Sequence, residues 1–139
     1  MKINLVVSII LYTFILITKT DKQMKAILID VHNENVRMVE VDDKNVLREW
    51  YKHIICSMVE VAHYFNNHDS IMCDEEGLFT MDNTSKFFTV VGGHQPFIGN
   101  GLVVGVDNNG KSVDPHITVE EVRSKVKFHT YNDVRVMVD

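Results

Sequence analysis

Cysteine is nearly absent. Cys56 and Cys73 are the only two in 139 residues, which leaves no disulfide framework and suits a reducing compartment. Proline is as scarce, with Pro96 and Pro115 alone, so no proline-rich linker divides the chain. At this length there is one domain and no room for a second core. Basic residues are outnumbered, fourteen against nineteen acidic, for a formal net charge of −5. They are scattered singly apart from Arg123, Lys125 and Lys127. Such a chain lacks the electrostatic footprint of a nucleic-acid binder, and no nucleic-acid partner is expected. Dense acidic blocks are missing as well, since the longest run, Asp74-Glu75-Glu76, ends at Gly77. No repeat or low-complexity tract occurs.

What is there begins oddly. Residues 3–17 are apolar and β-branched, with Lys2 before them and Lys19 and Lys22 after. As a helix these fifteen residues reach about 22 Å, short of a hydrocarbon core of roughly 30 Å. As a secretory signal they lack a small-x-small cleavage site, because Thr18-Lys19-Thr20-Asp21 follows. A membrane anchor, with the lysines holding the main domain in the cytoplasm, stays open beside a signal and a translation start at Met24. The domains are therefore 1–23, an apolar extension, and 24–139, a single unit. If translation starts at Met24, no stable membrane insertion is expected. Without Lys2, Lys19, Lys22 and Asp21 there remain eighteen acidic and eleven basic residues, a formal −7.

From Met24 the pattern reads as alternating short elements. Lys25–Asp30 is an apolar strand, His32-Asn33-Glu34-Asn35 a turn, and Val36–Val41 alternates as the second arm of a hairpin. Asp42 or Asp43 is placed to cap a helix over about 43–55, in which Val46, Leu47, Trp50, Tyr51, Ile54 and Ile55 make one apolar face. Met58–Phe65 changes to period two, with Val59, Val61, His63 and Phe65 on one side. Ile71–Cys73 is a further strand, and Leu78–Thr80 continues extended. A short helix is expected from Asp82 or Asn83 to Phe88, and a strand over Leu102–Val106. Thr118-Val119-Glu120-Glu121 has the residues of a capping box and begins a helix over 118–127. Phe128–Tyr131 and Val134–Val138 read as terminal strands about an Asn132-Asp133 turn. The fold class is α+β: β-hairpins in a mostly antiparallel sheet with the two main helices packed on one face.

The string from Gly105 to Ser112, GVDNNGKS, fits the phosphate-loop pattern G-x-x-x-x-G-K-[ST] at every position. A working phosphate loop needs a helix immediately after it, whose N-terminal amides meet the phosphates. Pro115 would cost such a helix about 3 kcal/mol, and Asn109-Gly110 is a strong signal for a type I′ hairpin turn. Gly105–Ser112 is therefore read as a hairpin and not as a nucleotide site. Cys56, His63, His68 and Cys73 include no closely spaced ligand pair of the kind zinc sites use, so no metal or other cofactor is expected. The serines lack a nucleophile-elbow setting. Among polar residues His94, beside Gly92-Gly93, Asn83, and the Glu75-Glu76 turn are the candidate ligand-binding positions; none is assigned a catalytic role.

MKAILID at 24–30, DEEGLFTMDN at 74–83 and GNGLVVGVDNNGK at 99–111 occur in an order that resembles one family. Its members are small domains of unknown function from bacteriophages, prophages and conjugative elements of Gram-positive bacteria. The resemblance runs from about Met24 to Phe128, on Asp30, Glu75 or Glu76, Gly77, Asn83, Gly99 or Gly101, Asp107 and Gly110. It implies an accessory protein acting in the bacterial cytoplasm. The expected role is a non-enzymatic binding module for a host or phage protein or a small ligand, counter-defence included. The alternatives are a membrane-tethered accessory protein or a small metal- or nucleotide-dependent enzyme using the 83–94 region.

Overall fold

The computed structural model describes residues 23–138, so the anchor, signal and late-start readings of the first 22 residues lie outside the described residues. The hairpin after Gln23 is present: β1 (Met24–Asp30) and β2 (Asn35–Val41) pair in register from Met24–Val41 to Asp30–Asn35. Asp30 closes it. Its Oδ1 accepts the His32 and Asn33 backbone N–H groups at 3.2 and 3.1 Å, and its Oδ2 accepts the Asn33 amide at 2.8 Å and Arg37 Nη1 at 2.7 Å.

The first helix, α1, runs Val46–Ile54 with Asn45 at its N-cap, shorter than the expected 43–55. Asp42 is occupied elsewhere, taking the Lys44 N–H on its carboxylate and the Asn45 N–H on its carbonyl. It shapes the turn before the helix and does not cap it. Then come β3 (Val59–Tyr64) and β4 (Asp69–Asp74), paired antiparallel with a bulge between Val61 and His63. The extra residue breaks the period of two. Val61 lies opposite Met72 while His63 lies opposite Ile71, on the other side of the sheet from the expected Val59–Val61 stripe.

Two expectations for the middle of the chain are corrected. Gly77–Thr80 is a 3-10 turn, not an extended segment, closed by the Phe79 N–H on the Glu76 carbonyl. No helix begins at Asp82 or Asn83. Asp82 Oδ1 accepts the Thr84 N–H and hydroxyl, and Ser85 Oγ accepts the Asp82 N–H, so the polar side chains close a local turn in place of a helix. The chain leaves it directly as β5 (Lys86–Val90). After β6 (Phe97–Ile98) come β7 (Gly101–Val106) and β8 (Ser112–Val113), joined by the Asp107–Gly110 turn. The hairpin reading of GVDNNGKS stands, but the turn differs from type I′. Only Gly110 has positive φ, at 80°, and its N–H meets the Asp107 carbonyl, which is the three-residue loop with a glycine bulge. Asp107 Oδ1 adds bonds to the Asn109 and Lys111 N–H groups.

The helix α2 (Val119–Lys125) starts where expected, with Thr118 Oγ1 accepting the Glu121 N–H, but ends before Val126, where β9 (Val126–Thr130) begins. The last segment is a third helix, α3 (Tyr131–Val138), and not a strand. Thr130 and Asp133 make reciprocal bonds, Thr130 N–H to Asp133 Oδ2 at 2.9 Å and Asp133 N–H to Thr130 Oγ1 at 3.3 Å. A turn signal in the sequence was a helix cap.

The main antiparallel sheet runs β2-β1-β7-β4-β3, with β8 also on β7, and a second sheet runs β6-β5-β9. Successive residues of β1 serve two cores. Ala26 and Leu28 join Val41, Ile54, Met72 and Leu102 under α1. Ile27 and Ile29 join Val103, Ile71, Phe88, Val122 and Val126, the core between the main sheet, the second sheet and α2. The two expected helices therefore lie on opposite faces of the main sheet, not on one. Gly101 permits this packing, since a Cβ there would sit 2.7 Å from the Phe88 ring.

Candidate functional site

Asp30 ends β1, Asp74 ends β4 and Asn100 precedes β7, and antiparallel pairing brings these strand ends together at one end of the main sheet. Asn100, 5% exposed, ties the end of β1 to α1. Its Oδ1 accepts the Val31 N–H at 3.1 Å, and its Nδ2 donates to the His53 carbonyl at 3.2 Å. One side chain thus fixes the β1–β2 turn against the end of α1. The helix ends at Ile55 in the left-handed conformation, φ 65°, with the Ile55 and Cys56 N–H groups both on the Tyr51 carbonyl. A β-branched residue is costly there, by roughly 1–2 kcal/mol, and Ile55 is also largely exposed.

Around these points lies a groove of about 260 Å³. Ile54, Ile55 and Ile98 supply an apolar wall, and His32, Asp74, Thr80, Asp82, Thr84 and Lys86 a polar one. Several polar groups are already engaged. Asp82 holds Thr84, Asp74 Oδ1 accepts the Glu76 N–H at 2.9 Å, and the Thr80 hydroxyl donates to the Gly77 carbonyl. The His32 ring and the Lys86 ammonium make no hydrogen bond or ion pair among the described residues.

Two buried carboxylates stand at opposite ends of the main sheet, Asp30 beside the groove and Asp69 at the start of β4. Burial would raise the Asp30 carboxyl, but the hydrogen bonds from Asn33 and Arg37 outweigh it and hold the group down at about 2. Asp69, 0% exposed at the start of β4, behaves alike. Burial pushes it up, and bonds from Asn66 and from the His116 and Ile117 backbone bring it below its usual range. The His63 imidazole is held below its ordinary value by burial first, then by the neighbouring His94 and Lys125. Burial pushes the Cys56 and Cys73 thiols up to about 11 and 12, with carboxylates adding to the effect, Asp74 beside both. Cys56 packs on the α1 side and Cys73 in the opposite core. Among the described residues no three His, Cys, Asp or Glu side chains are grouped to hold a metal ion.

The sequence-derived candidates do not share one cavity. Asn83 is exposed between Asp82 and Thr84, next to the groove but not in its lining. Glu75 borders a cleft of about 90 Å³ with Glu60, Asp74 and Leu78. Glu76 is exposed at the base of the 3-10 turn. His94 borders a shallow depression with Thr89, Gly93 and Met137, separated from the Glu75 cleft by Gln95 and Pro96. The groove residues His32, Lys86 and Asn100 were not singled out beforehand. Asn100 left a trace in the sequence, an amide between two glycines at the start of a strand. A second pair without any sequence signal is Thr89 Oγ1 and His129 Nε2, 2.8 Å apart across β5 and β9.

The segments that converge here are those on which the family resemblance rests. Residues 24–127 match the family described as Domain of unknown function (DUF3846). The chain belongs to that family. The matched span begins with the first residue of β1 and ends inside β9, so it includes both cores and the whole groove of the DUF3846 domain. None of the curated proteins and none of the solved structures compared matches the chain. No helix among the described residues of this DUF3846 member is long and apolar enough to cross a membrane.

Proposed function

We propose that the chain is a non-enzymatic binding module, an accessory protein of a bacteriophage or related mobile element acting in the bacterial cytoplasm. Its groove takes a small polar ligand with an anionic end, of the nucleotide-like kind. One observation carries this reading. Hydrogen bonds of Asp30, Asp82 and Asn100 fix the rim, while His32 and Lys86 line the groove with no side-chain hydrogen bond among the described residues, Lys86 also attracting the Asp133 carboxylate. A fixed frame with uncommitted donors is a preorganised receptor, because binding then costs little ordering. The apolar wall of Ile54, Ile55 and Ile98 suits the flat or aliphatic part of such a ligand.

The test is direct. Protein purified natively is denatured, and the released small molecules are identified by mass spectrometry. In parallel the emptied protein is titrated with a fluorescent mononucleotide. A bound anionic molecule whose affinity falls in Lys86→Ala and vanishes when the bulk of Ser85→Trp fills the groove that Ser85 also lines is the expected result. Silence in both measurements, or binding that neither variant alters, removes the groove from the reading.

A further inference from the structure

Beside the groove stands an apolar prominence. Leu78 is 71% and Phe79 88% exposed on the 3-10 turn, and Met81 follows at 42%. Single exposed apolar residues are ordinary on a protein surface, but three within four positions on one fixed turn are not. The turn is held from below. Gly77 is buried, packed so closely on the Ile98 side chain that a Cβ would collide with it. The Phe79 N–H reaches the Glu76 carbonyl at 3.0 Å, and Thr80 Oγ1 reaches the Gly77 carbonyl at 3.2 Å. An aromatic ring presented on a rigid base is the kind of anchor that carries interface energy.

The surroundings of this anchor are of one sign. Leu78 lines the same cleft as Glu60, Asp74 and Glu75, together with Pro96 and Ile98. From Asp74 to Asp82 there are four carboxylates and no lysine or arginine. Among the described residues none of Glu60, Asp74 and Glu75 is ion-paired. At about 90 Å³ the cleft has room for the end of one long side chain.

We infer that Leu78 and Phe79, with the Glu60–Asp74–Glu75 cleft, form a docking surface for a protein that offers an apolar pocket flanked by Lys or Arg. One basic side chain enters the cleft while Phe79 fills the pocket. The surface rests on the binding-module reading but not on the small ligand of the groove. An anionic membrane is disfavoured by the same charges.

The full chain is titrated with a synthetic amphipathic peptide of leucine and lysine, followed by amide NMR and sedimentation. The control is the same peptide with glutamate for lysine. Expected are shifts confined to residue 60, residues 73–82 and residues 95–98, weakened by added salt and absent with the glutamate peptide. Phe79→Ser and the double variant Glu60→Gln, Glu75→Gln each lower the affinity by roughly tenfold or more. Both changes are on the surface, and unchanged far-UV circular dichroism verifies folding. No binding, shifts elsewhere, equal binding of the glutamate peptide, or a dimer of the chain that Phe79→Ser dissociates overturns the inference. Lys86→Ala separates the two sites: it weakens ligand binding in the groove and leaves peptide binding unchanged.

Discussion

Replacing Asp69 by asparagine probes the most deeply buried carboxylate among the described residues. Its Oδ1 accepts the His116 N–H at 2.9 Å, and its Oδ2 accepts the Ile117 N–H at 2.8 Å and Asn66 Nδ2 at 3.0 Å. These bonds fasten the strand-to-helix connection before α2 onto β4, where Asp69 is fully buried. Asparagine keeps the shape but turns one acceptor oxygen into an NH₂ group that confronts an N–H. One charge-assisted bond worth about 1.5–3 kcal/mol is lost, and a buried donor is left unsatisfied at about 1–3 kcal/mol more. Because the two effects overlap, the expected loss is roughly 3–4 kcal/mol, a large share of a typical 5–15 kcal/mol. For a domain of this size that lowers Tm by on the order of 10–15 °C. Urea unfolding is followed by the fluorescence of Trp50, the only tryptophan, and by circular dichroism. The midpoint falls with an unchanged slope. A variant within about 1 kcal/mol of the parent would refute the assignment of Asp69 as the fastening point.

Acid sensitivity follows from the same carboxylates. Asp30 and Asp69 have folded-state pKa values below their ordinary ones, so the native state binds fewer protons than the unfolded state. Their stabilisation is complete above the ordinary carboxylate range and is lost as pH falls from about 4 toward 2. Urea midpoints against pH measure it, and Asp30→Asn flattens that decline; an equal decline in the variant contradicts the role given to Asp30. Ile55→Gly relieves the left-handed strain at the end of α1 and raises stability by up to about 1 kcal/mol despite the extra freedom of the unfolded chain. A lowered Tm would show that Ile55 is not strained. The thiols of Cys56 and Cys73, pushed up to about 11 and 12, stay largely as thiols at about pH 8. Cys73 of the native protein reacts slowly with a disulfide reagent and that of denatured protein quickly; fast reaction of Cys73 in the native state contradicts its burial.

Where one local principle acted alone, the sequence was sufficient. Apolar alternation fixed the β1–β2 hairpin, and Thr118 with Glu121 marked the start of α2. Asn109-Gly110 marked the β7–β8 hairpin, although the turn that formed puts only Gly110 at positive φ. Failures came where two local readings shared the same residues. Asn132-Asp133 reads as a turn, but Asp133 bonds back to Thr130 and caps a helix. Asp82 reads as a helix cap, but Thr84 and Ser85 close a turn on it first.

By itself the sequence determined the α+β class, the family, and the unbroken apolar run that makes β1 apolar on both sides. It could not say which side each helix takes, because Ala26 and Leu28 are as apolar as Ile27 and Ile29, and a strand buried on both faces carries no label for either. That choice, the second sheet over Phe88, and the meeting of Asp30, Asp74 and Asn100 at one end of the sheet were decided by long-range pairing of β1, β4 and β7. The candidate groove is made of residues up to about 70 positions apart, joined by bonds such as Asn100 to Val31. No local pattern encodes such a bond; only the sheet's register brings its two ends together.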